Sequence, residues 1–430
     1  MLKRLLRRRV WTSQQVLPAL AGLLLLLVLW RVSAARGARE TVVHSDFGAF
    51  WLQGYYFLTG RPLFDLPPNV RGPAYPPFAG MVFQLFALLP LPVSAAIVYF
   101  VNLLLLPVAV YLTKGIFDKL HPQRNRAAWP LVVAVVLSLQ FFLNTFNLIQ
   151  LNEIIFVLCL LGIKAYLDGH DGWAAAAFVT AAAIKLVPGV FVGWLVLRGR
   201  PRAALALVPA VAACLTLPLV FRGAETGVRD LAQYQTKVLG RFERGHVISS
   251  ATNQNLGALV YRLTVPTPDD INRDYRPLLP TSDRTAGAIY RTLVAVVLLA
   301  FVANLLALRL RDAPVNAFEL GSVFLAGHLL SGITWKAHLV TFLFTFYCFL
   351  SMRMRELEPG PRVFVYVLVA MMVAVGLTGR DLVGLKVQHI VDGYSVIVWA
   401  EVLLFVGCLV FSQRSAHRLG SMNNLPINYR

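Results

Sequence analysis

The runs LPALAGLLLLLVLW (residues 17–30) and IVYFVNLLLLPVAVYL (residues 97–112) decide the fold class of this chain. Neither contains a charged residue, and with their neighbours both reach the ~20 residues that cross a bilayer as a helix. Hydrophobic residues make up 57% of the 430 residues and charged residues only 14%, whereas a soluble domain is about one quarter charged. The sequence therefore predicts an all-α polytopic membrane protein.

Similar apolar runs recur along the chain, and we expect about 12 transmembrane helices. The expected spans are 14–33, 93–113, 128–147, 152–168, two short helices within 172–198, 203–221, 286–308, 315–333, 338–352, 362–378 and 393–412. The helix pair in 172–198 is expected to break at residues 185–188, where a proline interrupts it. The run 78–89 is too short to span, which predicts a re-entrant or interfacial helix.

The basic residues predict the orientation of these spans. Most Lys and Arg lie in short loops between apolar runs, and such loops face the cytoplasm. Both termini are then cytoplasmic, and residues 34–92 and 222–285 form a first and a long outer loop of one transmembrane domain, residues 1–430. The basic start MLKRLLRRRV imitates a signal peptide, but we expect a retained first helix because the apolar run that follows it is long.

The formal net charge of +19 would indicate nucleic-acid binding in a soluble protein. The positive-inside distribution of these charges accounts for them, so no nucleic-acid partner is expected. Phosphate-binding glycine loops, HExxH and GxSxG are absent from the sequence. We therefore expect neither a metal nor a cofactor.

Polar residues collect at the predicted outer leaflet and point to one cavity. They are Asp46, Gln150, Asn152, Lys185, Asn253 to Asn255, Trp335, Lys336 and His338. Ionisable groups at membrane depth are costly and usually functional, so their convergence on one face predicts a substrate site.

Each of these residues also has a structural interpretation. Asp46 stands where a helix N-cap belongs, and Gln150 with Asn152 would suit a tight turn between spans. Lys185 would reach the membrane interface as a snorkelling lysine, and His338 would serve as an interfacial anchor. Four further ionisable residues are predicted to make interhelical hydrogen bonds only: Glu153, Glu319, His328 and Glu401.

Six motifs in fixed order resemble glycosyltransferase family 87. They are HSDFGAFWLQGYYFLTGRPLFD (44–65), YPPFAGMVFQLFALLPLP (75–92), NLIQLNEIIFVLCLLGIKAYL (147–167), AAAIKLVPGVFVGWLVLRGR (181–200), NQNLGALVYRL (253–263) and SGITWKAH (331–338). The resemblance implies a GT-C fold in a bacterial plasma membrane and a sugar donor linked to a polyprenyl phosphate. It maps the catalytic acid onto Asp46 and the histidine of the outer loop onto His338.

The remaining motif positions are expected to bind substrate. These are Lys185, Gln150, Asn152, Asn253, Gln254, Trp335, Lys336 and Tyr75. The family often has NQS where Asn253-Gln254-Asn255 stands here, so no role is carried over to Asn255.

The chemistry of the residues agrees with this resemblance. A carboxylate at the water boundary suits a general base that takes the acceptor hydroxyl's proton, and Lys185, His338 and Lys336 suit a departing phosphate. With one such carboxylate, we expect a single displacement that inverts the configuration at the anomeric carbon. The expected reaction transfers mannose to a glycan or glycolipid at the outer face. Transfer of arabinofuranose, or a flippase or transporter of lipid-linked sugars, are the alternatives.

Overall fold

In the residues that it describes, the computed structural model is built mainly of helices. It describes Gly22 and residues 46–64, 75–121, 127–243, 245–266 and 275–423. In chain order the helices are α1 (Asp46–Leu58), α2 (Pro77–Ala87), α3 (Leu91–Leu120), α4 (Trp129–Leu148), α5 (Asn152–Leu167), α6 (Asp171–Ile184), α7 (Gly189–Arg198), α8 (Pro201–Arg222), α9 (Ala224–Gln233), α10 (Leu256–Thr264), α11 (Asp283–Leu310), α12 (Ala317–Leu330), α13 (Phe342–Leu350), α14 (Pro359–Gly376), α15 (Arg380–Gly393) and α16 (Val396–Asn423).

Six of these helices have the length and apolar composition to cross a membrane: α3, α4, α8, α11, α14 and α16. Exposed apolar side chains such as Leu205 and Val220 cover the outside of α8, as expected for a surface in contact with lipid. The chain is therefore an all-helical polytopic membrane protein. The total of about 12 spans and the GT-C arrangement stay predictions, and the expected first span, 14–33, lies outside the described residues.

The structure confirms the predicted break in the hairpin 172–198, and it forms a short helix in the run 78–89, whose re-entrant or interfacial position stays a prediction. The run expected to be re-entrant or interfacial forms α2, an apolar helix of 11 residues. The hairpin 172–198 is broken as expected, because α6 ends at Ile184 and α7 begins at Gly189. Pro188 has no backbone N–H for a helical hydrogen bond, so the chain leaves the helix before it.

The described part of residues 34–92, the predicted first outer loop, packs on the longer helices. α1 packs directly on α2, and at Gly54 the two backbones are so close that a Cβ atom would lie 2.1 Å from the carbonyl oxygen of Phe83. Only glycine permits this approach. The buried face of α1 carries Asp46, Phe50 and Phe57 into the protein.

The described part of the segment expected to be the long outer loop contains helices α9 and α10, a π-helical turn and a further four-residue helix. α9 continues into the π turn Tyr234–Leu239 and a short helical end, Gly240–Glu243, and α10 follows. Asn255 caps α10 by accepting a hydrogen bond from the N–H of Ala258 at 2.8 Å.

One helix was not predicted, and it is α15. Its residues mix charged and apolar types, and Gly384 breaks its helical geometry with a φ of 76°. Most of its side chains are exposed, and only Asp392 and Gly393 at its end are buried. Without a continuous apolar run, the sequence carries no signal of a membrane-embedded helix here.

Basic side chains from several helices meet at one end of the bundle. Lys119 at the end of α3 and Lys164 in α5 both pair with Asp168, whose pKa they lower to about 2. Arg200 at the start of α8 pairs with Asp171, the first residue of α6. The short basic connections predicted to share one side of the membrane thus lie at one end of the molecule.

Candidate active site

The site begins at the sharp turn between α4 and α5. Ile149 has a φ of 50°, a left-handed conformation that few residues other than glycine adopt, and it ends α4 abruptly. The N–H of Gln150 then closes the turn onto the carbonyl oxygen of Thr145 at 3.0 Å. Asn102 in α3 also holds Gln150, by donating to the carbonyl oxygen of Gln150 at 2.6 Å. The side chain of Gln150 is thereby held inside the protein.

Four predicted site residues form one chain of hydrogen bonds. The amide of Gln150 donates to Oδ2 of Asp46 in a short contact, and its own Oε1 accepts from Nδ2 of Asn152 at 3.3 Å. Oδ1 of Asn152 then accepts from Nζ of Lys185 at 2.7 Å. We call Asp46, Gln150, Asn152 and Lys185 the polar chain. It runs from the first helix of the outer loop to the break in the α6–α7 hairpin.

Every member of the polar chain is removed from solvent to a large degree. Gln150 is 1% exposed, Asn152 4% and Asp46 8%, and Lys185 is partly buried. Asp46 and Glu153 are both close enough to interact electrostatically with the amino group of Lys185. A carboxylate and an ammonium group are thus separated by two amides that each donate and accept, which fixes the position of both charges.

Tyr75 lies against the Asp46 end of the polar chain. Its ring packs edge-on against Phe50 of α1, with 5.0 Å between the ring centroids. Burial, and then the negative charge of Asp46, raise the pKa of the Tyr75 hydroxyl. The hydroxyl therefore stays protonated near the proposed base.

His338 lies at the Lys185 end. It belongs to the 3₁₀ helix Lys336–Thr341, and its Nδ1 accepts a hydrogen bond from the backbone N–H of Trp335 at 3.2 Å. An Nδ1 that accepts leaves the proton of a neutral imidazole on Nε2. The positive charge of Lys185 acts on this ring, so the two side chains are close neighbours.

Lys185, Asn152 and His338 line a cavity between the α6–α7 hairpin, α5 and α12. It is partly open, with an empty volume of about 440 Å³, open space included. Its polar wall also contains His328 and Thr341, and no carboxylate belongs to its described lining. The remaining wall is apolar: Ile155, Phe156, Cys159, Val187, Pro188, Phe191, Val323, Phe324 and Gly327. Such a cavity suits an anion attached to a hydrocarbon chain.

The other predicted binding residues do not face this cavity. Oδ1 of Asn253 accepts from the N–H of Thr334 at 2.8 Å, and the Gln254 amide donates to the carbonyl oxygens of Ala251 and Asp392. Asn253 also forms an isolated β-bridge with Trp335. These amides join the long loop to the segment that precedes His338.

Lys336 is paired with an acid instead of lining the cavity. Its Nζ lies 2.8 Å from Oδ1 of Asp392, and both side chains are less than a tenth exposed. Burial raises the pKa of Asp392, and the charge of Lys336 opposes that rise. Among the predicted cations, Lys185 and His338 therefore lie at the cavity and Lys336 does not.

Arg262 is a buried residue that sequence reasoning missed. Its guanidinium donates to the carbonyl oxygens of Ser250 and Asn253 at 2.6 Å, to that of Gly393 at 3.0 Å and to the hydroxyl of Ser395. Burial lowers its pKa to about 10, so the group is still charged at neutral pH. It joins the long loop to the start of α16, and a lone arginine in a polar loop gave no signal of this role.

The buried ionisable residues of the spans do pair across helices in two cases. Nδ1 of His328 lies 3.1 Å from Oε1 of Glu401, and Glu319 accepts from the indole of Trp194 at 2.8 Å. Glu153 is fully buried beside Asn152, and its carboxylate interacts electrostatically with Lys185.

A family model, glycosyltransferase family 87, matches residues 74–332, more than half of the chain. The match includes Tyr75, Gln150, Asn152 and Lys185, whereas Asp46 and His338 lie outside it. Two curated relatives have the same name, polyprenol-phosphate-mannose-dependent alpha-(1-2)-phosphatidylinositol mannoside mannosyltransferase.

The relative from Mycobacterium tuberculosis is 28% identical over 275 residues, which cover 61% of this chain and 62% of that protein. The relative from Mycolicibacterium smegmatis is 27% identical over 266 residues, 59% of this chain and 58% of that protein. The chain thus spans about three fifths of the length of these two relatives. On the extent of the family match, the chain belongs to glycosyltransferase family 87.

Proposed function

We propose that this chain is an inverting glycosyltransferase that moves mannose from a polyprenyl-phosphate donor to a glycan or glycolipid acceptor. The observation that carries the proposal is the polar chain, which connects a carboxylate, Asp46, to a cation, Lys185, on the wall of a cavity. A transferase needs both groups at a fixed separation, one for the acceptor and one for the leaving phosphate. The names of the two curated relatives support mannose as the sugar.

The cavity matches the donor's chemistry. The phosphate would meet Lys185, the Nε2 proton of His338 and the amide of Asn152, without a lining carboxylate to repel it. The first isoprene units would lie against the apolar wall of Phe156, Phe191 and their neighbours, where burial of hydrocarbon is favourable.

The proposed reaction is a single displacement at the anomeric carbon. The acceptor oxygen forms a bond to that carbon, the bond from the carbon to the phosphate oxygen breaks, and its electron pair stays on the phosphate. Asp46 takes the acceptor proton, and Lys185 and His338 stabilise the negative charge that develops on the phosphate.

A double displacement would need a carboxylate that reaches the sugar as a nucleophile. Glu153 is the other carboxylate that interacts with Lys185. Neither Glu153 nor Asp46 lines the cavity, but Glu153 is fully buried, whereas Asp46 keeps 8% of its surface exposed. This supports inversion, with Asp46 acting as base.

The proposed location of the reaction is the outer face of a bacterial plasma membrane. Support comes from the basic end of the bundle, with Lys119, Lys164 and Arg200, which the positive-inside rule assigns to the cytoplasm. The turn at Ile149 that carries the polar chain is at the opposite end of α5 from Asp168. A donor already in the membrane suits that side, where nucleotide sugars are absent.

The test is transfer by the purified protein in detergent. Radiolabelled polyprenyl-phosphate-mannose is incubated with a phosphatidylinositol mannoside, with polyprenyl-phosphate-arabinose as the matched donor in a second reaction. We expect labelled mannose in the glycolipid and an equal amount of polyprenyl phosphate. Transfer of arabinose alone would replace the proposed sugar, and movement of intact donor between leaflets of proteoliposomes without cleavage would identify a flippase.

A further inference from the structure

A second chain of hydrogen bonds ends at the same cavity from the opposite side. Nδ1 of His328 in α12 lies 3.1 Å from Oε1 of Glu401 in α16, and its Nε2 lies 3.1 Å from the hydroxyl oxygen of Thr341. His328 is 2% exposed and Glu401 is fully buried. His328 and Thr341 both line the cavity beside Lys185 and His338. The proposed reaction has so far used neither.

The number of protons on the His328–Glu401 pair decides where the Thr341 hydroxyl points. When the imidazole is neutral and donates from Nδ1 to an ionised Glu401, Nε2 is an acceptor and receives a hydrogen bond from the Thr341 hydroxyl. When the pair holds one more proton, Nε2 is a donor in either arrangement of that proton. The hydroxyl then accepts from Nε2, and its own hydrogen is released to another acceptor.

The surroundings of Thr341 leave the cavity as the place for that hydrogen. The hydroxyl has the His328 ring as its hydrogen-bond partner in the described structure, and the cavity is the space that it borders. A phosphate oxygen in the cavity would accept a hydrogen bond from it. A hydrogen bond to a charged acceptor is stronger than one between neutral groups.

We propose that Glu401, His328 and Thr341 form a proton-dependent donor to the phosphate of the lipid-linked sugar. Thr341 is the binding residue, and His328 and Glu401 are positioning residues that orient its hydroxyl. This inference rests on the proposed function, because it takes the lipid phosphate as the ligand of the cavity. No bond other than hydrogen bonds forms or breaks in it.

Few charged groups face the pair. Glu401 contacts His328 from α16, and Lys185 and His338 face it across the cavity. The other acid of α12, Glu319, is nine residues away, about 13 Å along the helix, and it pairs with Arg198.

The experiment compares the binding of donor to the wild type and to the Thr341→Val variant. Valine keeps the shape of threonine and removes the hydroxyl. The matched control is Thr345→Val, since Thr345 is fully buried, compared with 9% exposure for Thr341, lies one turn further along the chain and does not line the cavity. The equilibrium dissociation constant of tritiated polyprenyl-phosphate-mannose is measured without acceptor from pH 5 to pH 9. The donor is a phosphodiester, so its own charge does not change in this range.

The expected result is a ratio of dissociation constants, variant over wild type, that depends on pH. At low pH the hydroxyl points into the cavity, so its loss should weaken binding roughly tenfold to a hundredfold. At high pH the hydroxyl is turned toward His328, so the ratio should approach one. Thr345→Val should bind like the wild type throughout. Titration of Lys185 affects both proteins and cancels in the ratio.

A second variant identifies the titrating group. Glu401→Gln removes the carboxylate that stabilises a protonated imidazole, so the pH at which the ratio changes should move lower when Thr341→Val is measured in that background. A ratio that does not vary with pH, or a transition that Glu401→Gln leaves in place, would overturn the inference. Failure of the wild type to bind this donor at any pH would instead overturn the proposed function.

Discussion

The ammonium group of Lys185 and the amide oxygen of Asn152 are 2.7 Å apart, and this contact connects the break in the α6–α7 hairpin to the first residue of α5. Asn152 in turn bonds Gln150, and Gln150 bonds Asp46. Gln150 and Asn152, which we expected to contact substrate, therefore connect the proposed base, Asp46, to the lysine proposed to bind the phosphate. Their amide groups orient Asp46 and Lys185 relative to each other.

The Gln150→Leu variant tests whether this connection orients the base. Loss of the amide removes the Gln150 hydrogen bond to Asp46, and a misplaced catalytic group costs on the order of 10² in rate. We expect kcat to fall roughly tenfold to a hundredfold with little change in the KM for donor. The control is Gln140→Leu in α4, the helix before the turn, whose amide donates to the carbonyl oxygen of Val375, outside the cavity lining. An equal loss of kcat in both variants would mean that Gln150 only stabilises the fold.

The Lys185→Ala variant tests the phosphate site. Removal of a charged donor should weaken donor binding by about 1.5–3 kcal/mol, roughly tenfold to a hundredfold. Lys164→Ala is the matched control, because Lys164 pairs with Asp168 at the other end of α5. We measure equilibrium binding of polyprenyl-phosphate-mannose to both. Unchanged affinity in a folded Lys185→Ala protein would leave this lysine a merely structural role at the hairpin break.

The pair of Lys336 and Asp392 should matter for stability and not for donor binding. Lys336→Met leaves Asp392 buried without its partner, which costs roughly 3 kcal/mol in free energy of unfolding. The double change Lys336→Met with Asp392→Leu should recover most of that loss, because no buried charge remains. Unfolding in mixed micelles with increasing SDS measures both. A large rise in donor KM for the double variant would instead show that Lys336 contributes to the phosphate site.

The sequence predicted which residues would converge, but not how they are connected. Asp46, Gln150, Asn152, Lys185 and His338 are conspicuous because polar residues are rare in apolar sequence, and the structure brings them together. Their mutual hydrogen bonds depend on the left-handed turn at Ile149. That turn could not be predicted from sequence, because β-branched residues rarely adopt a positive φ. The connection of Arg262 to Gly393 spans 131 residues, and such a contact has no local pattern.

The long loop shows a second limit of prediction from sequence. Asn253 and Gln254 were conspicuous as polar residues of a motif, yet their amides bond to backbone groups of the loop and of Thr334 and Asp392. From sequence, an amide that binds a sugar and one that holds a loop are alike. The buried loop backbone requires such partners, and that requirement appears only with the fold.

The orientation in the membrane is testable by labelling. In a variant without Cys214, single cysteines replace the exposed residues Glu225 and His170, which lie in the long outer loop and at the basic end. The orientation places Glu225 outside, so a membrane-impermeant maleimide should label its cysteine in intact cells. The cysteine at His170 should react only after the membrane is permeabilised. The reverse pattern would invert the proposed topology.

The central claim is that Asp46 is the general base, and Asp46→Asn tests it most directly. Asparagine keeps an oxygen that can cap α1 or accept the Gln150 hydrogen bond, so folding should be nearly unchanged. It cannot take a proton, and a general base contributes on the order of 10²–10⁴ in rate. The measurement is transfer of labelled mannose from polyprenyl-phosphate-mannose by wild type and variant in the same detergent, with thermal unfolding and donor binding measured alongside. The account predicts a loss of at least about 10² in kcat with donor binding and unfolding temperature near those of the wild type. Near-normal transfer by the asparagine variant would contradict it.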